Sequence, residues 1–144
     1  MYAIVLILHS LIRWLALILG IAAAGFAWFG WLKKQDWKPL NRKLGAYFTI
    51  AMDLQLALGL LLYLAFSPIT RAALQNFSAA MSAPELRFFA LEHPLSMILA
   101  LIFAHLASIL PKRQSAPSAK FRLAAVFSTL AVLLILLGTP WMRP

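Results

Sequence analysis

Residues 4–32 read IVLILHSLIRWLALILGIAAAGFAWFGWL, and only His9, Ser10 and Arg13 interrupt this apolar run. At about 1.5 Å per helical residue, the run is longer than the ~30 Å hydrocarbon layer of a bilayer. A secretory signal is the alternative, because residues 22–25 contain the small residues of a cleavage region. The start of the chain lacks the usual positive charge, however, and the apolar run is too long for a signal. We therefore expect a membrane-spanning helix that is tilted or protrudes at one end.

Three further apolar runs follow, at residues 44–66, 88–110 and 123–141, and each is near the ~20 residues that cross a bilayer. Of the 144 residues, 63% are apolar and 12% are charged, whereas a soluble domain has about 25% charged residues. The absence of cysteine excludes disulfides, thiolate metal sites and iron–sulfur clusters. The sequence predicts one all-α transmembrane domain over residues 1–144, an integral membrane up-down four-helix bundle.

The net charge of +9 would suggest a nucleic-acid partner in a soluble chain. Here, nine of the thirteen basic residues lie in two short stretches between the first and second runs and between the third and fourth: Lys33, Lys34, Lys38, Arg42, Lys43, Lys112, Arg113, Lys120 and Arg122. The positive-inside rule places both stretches in the cytoplasm. We therefore expect a multi-pass protein of the bacterial inner (cytoplasmic) membrane, with both termini outside in the periplasm and no nucleic-acid partner.

The outer loop, residues 67–87, contains apolar side chains at helical spacing: Ile69, Ala72, Ala73, Phe77 and Met81. This spacing is typical of a short helix that lies on the membrane surface. An ordinary loop is the alternative.

The inward face of a helix in lipid is recognised by its small and polar residues. The first helix has such a stripe at His9, Arg13, Ala16, Gly20, Ala23 and Ala27, and the third has one at His93, Met97, Ala100, Ala104 and Ala107. Both stripes are expected to face the interior of the bundle. The fourth helix is nearly all Leu, Val, Ile and Ala, so we expect it to serve packing and lipid contact only.

His9 and His93 each lie five residues into a helix that runs from outside to inside, so the two are expected at the same depth. The first and third helices of an up-down bundle are diagonal, which lets two histidines bind one haem b from opposite sides. Arg71 and Arg87 at the outer rim are candidates to bind the haem propionates. Alternatively, a histidine near a helix end hydrogen-bonds a neighbour or lies among the headgroups.

Arg13 lies one turn below His9 on the same face. We expect it to reach Glu92 or, at greater depth, Asp53, in a buried ion pair that fixes the helix register. The functional alternative is that one of these carboxyl groups carries protons beside a haem or a quinone.

His105 lies twelve residues after His93, about 120° away around the helix, so the two cannot share a face. An interfacial role is expected for His105, with Asp53 as its nearest partner. Pro94 removes the amide that would bond the Ala90 carbonyl, so the helix should either kink or begin beside His93.

Several segments resemble a family of small four-span bacterial membrane proteins labelled cytochrome b-like: HSLIRW at 9–14, QLALGLLLY at 55–63, RFFALEH at 87–93 and PW at 140–141. The resemblance implies a four-helix membrane bundle with haem b held by His9 and His93. The family pattern has a histidine where this chain has Asp53. If that histidine serves a second, inner haem with the equivalent of His105, this chain has lost that site; if it serves the only haem, this chain holds none.

The expected function is a haem b-binding electron-transfer component of a bacterial membrane redox system, rather than an enzyme, because no substrate-binding motif is present. One alternative is a cofactor-free accessory subunit of a larger respiratory or photosynthetic complex. A small transporter or channel lined by Arg13, Asp53 and Glu92 is disfavoured, because the chain has no evident repeat or pair of broken helices. The expected partners are the lipid bilayer and either other membrane subunits or a second copy of the chain.

Overall fold

In a computed structural model that describes residues 1–141, the chain is helical and contains no strand within that range. Four long helices alternate in direction: α1 (Tyr2–Leu32), α2 (Pro39–Phe66), α5 (Pro84–Arg113) and α6 (Pro117–Gly138). Two short helices, α3 (Pro68–Gln75) and α4 (Phe77–Ser82), connect α2 to α5. The four long helices are long and apolar enough to cross a bilayer, which indicates a multi-pass membrane protein.

All four long helices begin earlier than the predicted apolar runs, and the difference is largest for α2 and α6. α2 begins at Pro39 rather than at residue 44, and α6 begins at Pro117 rather than at residue 123. Proline is favoured in the first helical turn, since its missing amide would be unpaired there anyway. The basic residues Arg42, Lys43, Lys120 and Arg122 are therefore helical. The fourth helix also ends earlier than predicted, at Gly138, so Trp141 lies beyond it.

The four long helices form a bundle in which α1 packs on α2 and α6, and α5 packs on the same two helices. α1 and α5 are therefore diagonal, as the up-down prediction required. The loop after α1 and the loop before α6 lie at one end, which we call the basic end because both stretches of Lys and Arg adjoin it. The chain turns through α3 and α4 at the opposite end.

Small residues line the interior, and both predicted stripes are confirmed in their central part. Ala16, Gly20, Ala23 and Ala27 of α1 are buried, and so are Ala100, Ala104 and Ala107 of α5. The largest fully buried side chain of the central cluster is Phe48 of α2. It lies against Gly20, where an added Cβ would be 2.8 Å from its ring. Small side chains thus let the backbones approach closely around a few large ones.

The packing role expected of α6 is confirmed, and α6 has the largest buried share of the four long helices. In the most apolar 18-residue stretch of α6, 44% of the residues are buried, against 22% in the corresponding stretch of each other long helix. α6 packs on α1 and α5 and buries one side almost continuously, at Phe121, Ala124, Ala125, Ser128, Ala131, Val132, Ile135 and Gly138. Its composition did not show which of the two roles dominates, because leucine and alanine suit both lipid contact and the interior of a membrane protein.

The outer loop folds as two short helices, not as one. Ser67 accepts a hydrogen bond from the Thr70 amide at the start of α3, and Asn76 accepts one from the Ala79 amide at the start of α4. The break falls at Asn76, whose backbone is not helical. Buried Ala73 and Ala80 pack with Ala90 of α5.

The close approach at Gly20 is testable. A Val in place of Gly20 would overlap Phe48 and Val132. Gly25 serves as the control, because a Cβ added there would have no atom of residues 1–141 outside its own turn of helix within 4 Å. We expect Gly20→Val to lower the free energy of unfolding by about 1–3 kcal/mol, and Gly25→Val to leave it nearly unchanged. Unfolding of both variants by denaturing detergent in mixed micelles measures the difference. Equal loss in both would show that Gly20 does not set the helix separation.

Candidate functional site

His9 and His93 face each other across the bundle, near the end opposite the basic loops. Their ring centroids are 6.4 Å apart and the ring planes are inclined by 74°. The two residues lie on the diagonal helices α1 and α5, so they approach the bundle axis from opposite sides. The predicted common depth is confirmed.

An irregular turn of α5 positions His93. Residues Phe88–Glu92 form a π-helical turn, and the His93 amide bonds the Phe88 carbonyl. Pro94 offers no amide to the Ala90 carbonyl, which instead accepts a 2.8 Å hydrogen bond from the Tyr63 hydroxyl of α2. The helix therefore continues through the proline, and the freed carbonyl ties α5 to α2. Such π turns occur frequently at functional sites.

The ring of His93 is held by the end of α6. Its Nδ1 lies 2.7 Å from the carbonyl oxygen of Gly138. A carbonyl only accepts, so Nδ1 is the donor and the lone pair is on Nε2. This carbonyl is available because α6 ends there. A Cβ on Gly138 would lie 2.7 Å from Met97 and Ser96, so only glycine allows this approach. The sequence did not indicate this contact, because the acceptor is a main-chain atom.

His9 lies against Gly59 of α2, where an added Cβ would be 3.4 Å from the imidazole Cε1. Three buried polar atoms in this part of α1 and α2 have no hydrogen-bond partner within residues 1–141: His9 Nδ1, Arg13 Nε and Gln55 Oε1. Arg13 is one turn from His9, and Gln55 is one turn from Gly59. A buried polar atom without a partner costs about 1–3 kcal/mol. The region beside the two histidines therefore has unused capacity for hydrogen bonding.

The predicted ion pair of Arg13 with Glu92 or Asp53 is wrong for the part of the chain that the structure describes. Both carboxylates have other partners: Glu92 lies 2.7 Å from Arg87, and Asp53 lies 2.8 Å from His105. Glu92 belongs to the π turn, where the extra residue per turn changes the direction of a side chain from that of a regular helix.

Arg13 instead lies beside two indole rings. Its guanidinium carbon is 5.7 Å from the ring centroid of Trp14 and 5.9 Å from that of Trp141. The Trp141 Nε1 donates to the Leu136 carbonyl at 2.8 Å, which fixes the second ring at the end of α6. Cation–π attraction thus stabilises the charge without a carboxylate.

The remaining predicted residues form ion pairs with one another or lie on the surface. The two side chains of the Arg87–Glu92 ion pair are both nearly half exposed, and Arg71 is exposed on α3. The predicted partnership of His105 with Asp53 is confirmed by a 2.8 Å hydrogen bond on the outer side of α2 and α5. The histidine pair is thus the candidate site, with Arg13 one turn along α1 from His9 and Gln55 one turn along α2 from Gly59.

Comparison of the chain with protein-family models, with curated proteins and with solved structures finds no match. Among residues 1–141, no three His, Asp or Glu side chains are grouped to hold a metal ion.

The hydrogen bond from Tyr63 to the Ala90 carbonyl supports the π turn before His93. We expect Tyr63→Phe to lower the free energy of unfolding by about 1–3 kcal/mol, because it leaves a carbonyl unpaired. Tyr47 is exposed and provides the control, since Tyr47→Phe should change stability by less than about 0.5 kcal/mol. Detergent unfolding followed by circular dichroism measures both. If the two variants unfold alike, the Tyr63 hydroxyl does not support the turn.

Proposed function

We propose that the protein is a haem b-binding electron-transfer component of a membrane redox system, with His9 and His93 as the two axial ligands. The observation that carries the proposal is the 6.4 Å between their ring centroids. A metal–imidazole nitrogen bond is about 2 Å long, so two imidazoles on opposite sides of one metal ion have ring centres about 6 Å apart. The diagonal placement of α1 and α5 supplies the opposed approach.

The donor set favours haem over a bare metal ion. A protein that binds a structural zinc ion supplies about four ligands, and the described residues contain no group of three. The porphyrin of a haem supplies four nitrogens itself, so two histidines complete the coordination. When bound, the haem supplies one-electron transfer at its iron.

The surroundings of the pair fit the same role. The hydrogen bond from His93 Nδ1 to Gly138 orients the ring and leaves Nε2 as the ligand atom. Gly59 lets the His9 ring lie close against the backbone of α2. The Nε of Arg13 and the Oε1 of Gln55, which have no partner within residues 1–141, are available to polar groups of a cofactor. The positive charge of Arg13 favours the reduced, less positive state of a nearby iron, because it repels positive charge at the metal.

The resemblance to cytochrome b-like four-span proteins supports the proposal, since it assigns the ligand roles to the same two positions. The chain has three histidines, and His105 is bonded to Asp53. A second haem between two histidines of one chain is therefore not part of the proposal. Arg71 and Arg87 stay candidates for propionate contacts at the outer rim.

The proposed orientation places the basic end in the cytoplasm and both termini in the periplasm of a bacterial inner membrane. The basic residues at that end support it through the positive-inside rule. The histidine pair lies toward the opposite side, so an electron donor or acceptor would approach from the periplasm or from within the membrane.

The proposal predicts a visible spectrum. The full chain, purified in mild detergent after expression with sufficient haem, should show a Soret band that shifts on reduction with dithionite and an α band that sharpens. His9→Ala and His93→Ala should each lose both features, because either change removes an axial ligand.

His105→Ala is the matched control and should keep the full spectrum. Circular dichroism separates loss of haem from loss of folding in each variant. A colourless, folded wild-type preparation would contradict the proposal and favour a cofactor-free accessory subunit instead.

A further inference from the structure

The Asp53–His105 pair lies on the outside of the bundle at membrane depth. Asp53 is at the middle of α2 (Pro39–Phe66), and its side chain is 52% exposed. The His105 side chain is 40% exposed. Ionisable side chains at this depth almost always face a bundle interior, a water-filled cavity or another polar group, because their exposure to hydrocarbon is costly. This pair faces away from the core of its own chain.

The hydrogen bond within the pair satisfies only part of its capacity. It joins His105 Nε2 to one oxygen of Asp53, and neither side chain makes another hydrogen bond within the described part of the chain. The second carboxylate oxygen and the imidazole Nδ1 are thus available to a further polar group. A lipid tail offers none.

The pair is the centre of an otherwise apolar face, which we call the α2–α5 face. On α2 the face consists of residues at 3-4-3 spacing, Ile50, Asp53, Ala57 and Leu60, all of them exposed. On α5 it consists of Ile98, Ile102, His105 and Ile109, at 4-3-4 spacing. Such spacing keeps each set on one side of its helix. The result is a stripe along two packed helices with one polar centre.

We infer that a second copy of this chain covers the α2–α5 face, so that the protein is a homodimer in the membrane. Two copies inserted in the same orientation are related by a two-fold axis along the membrane normal, which preserves depth. Each Asp53–His105 pair therefore meets its own equivalent at the same depth. The pair contains an acceptor and a donor side by side, so it is complementary to itself, as an isologous interface requires.

A foreign helix is a poorer occupant. It would need its own polar side chain at this depth and in the matching direction, whereas the second copy supplies both by symmetry. Small Ala57 beside the pair also permits close approach of a helix. The inference does not depend on the proposed haem, since the α2–α5 face lies on the outside of the bundle.

Cysteine cross-linking tests the interface, because the natural chain has no cysteine. Ala57→Cys lies on the face, and Ile18→Cys on α1 is the control, since Ile18 is also exposed to the lipid side. The full chain is reconstituted in phosphatidylcholine vesicles at low protein density and treated with a bifunctional maleimide whose flexible spacer reaches across the interface. We expect a covalently linked dimer from residue 57 and little from residue 18. Equal cross-linking at both positions, or none at residue 57, would overturn the inference.

A second measurement tests the role of the polar pair. Asp53→Leu combined with His105→Leu should raise the dissociation constant of the dimer roughly tenfold or more, as judged by energy transfer between labelled copies. The pair is outside the core, so helix content should be retained. Unchanged dimerisation of this variant, or a wild-type chain that is monomeric at every lipid ratio, would contradict the inference. So would cross-linking of residue 57 in native membranes to a different protein alone.

Discussion

In a bilayer, every polar group of the chain needs a partner that water does not supply, and this requirement governs the structure. The carbonyl freed by Pro94 is bonded by the Tyr63 hydroxyl, and the carbonyl at the end of α6 is bonded by His93. At the same end of α6, the Thr139 hydroxyl donates a hydrogen bond to the Ile135 carbonyl. The helix ends and the irregular turns are thus connected to one another, and these connections hold the histidine pair in place.

The same requirement draws attention to two groups of polar side chains whose hydrogen-bonding capacity is not fully used. Within residues 1–141, His9, Arg13 and Gln55 contain buried polar atoms without partners, and they lie on α1 and α2 near the histidine pair. Asp53 of α2 and His105 of α5 are about half exposed on the outside of the bundle. We propose that a cofactor within the bundle completes the first group and that a second copy of the chain completes the second. Both proposals therefore have one physical origin, which is the cost of an unsatisfied polar group in hydrocarbon.

The sequence predicted the parts of the fold that depend on regular periodicity. The four spans, the small-residue stripes of α1 and α5, the common depth of His9 and His93 and the Asp53–His105 contact follow from 3.6 residues per turn and from bilayer thickness. The predicted Arg13 ion pair was wrong because Glu92 lies in a π turn, where that periodicity does not hold. The roles of the Gly138 carbonyl and of Trp141 were not predicted, because they depend on where α6 ends and on how it packs.

We propose that His9 and His93 bind one haem from opposite sides. Electron paramagnetic resonance of the oxidised, purified full chain tests this proposal, because the signal reports the axial ligands of the iron. With ring planes inclined by 74°, we predict the strongly anisotropic low-spin ferric signal of two nearly perpendicular imidazoles, lost in His9→Ala and His93→Ala. A high-spin signal from the wild-type protein, or a folded protein without any haem signal, would contradict the account.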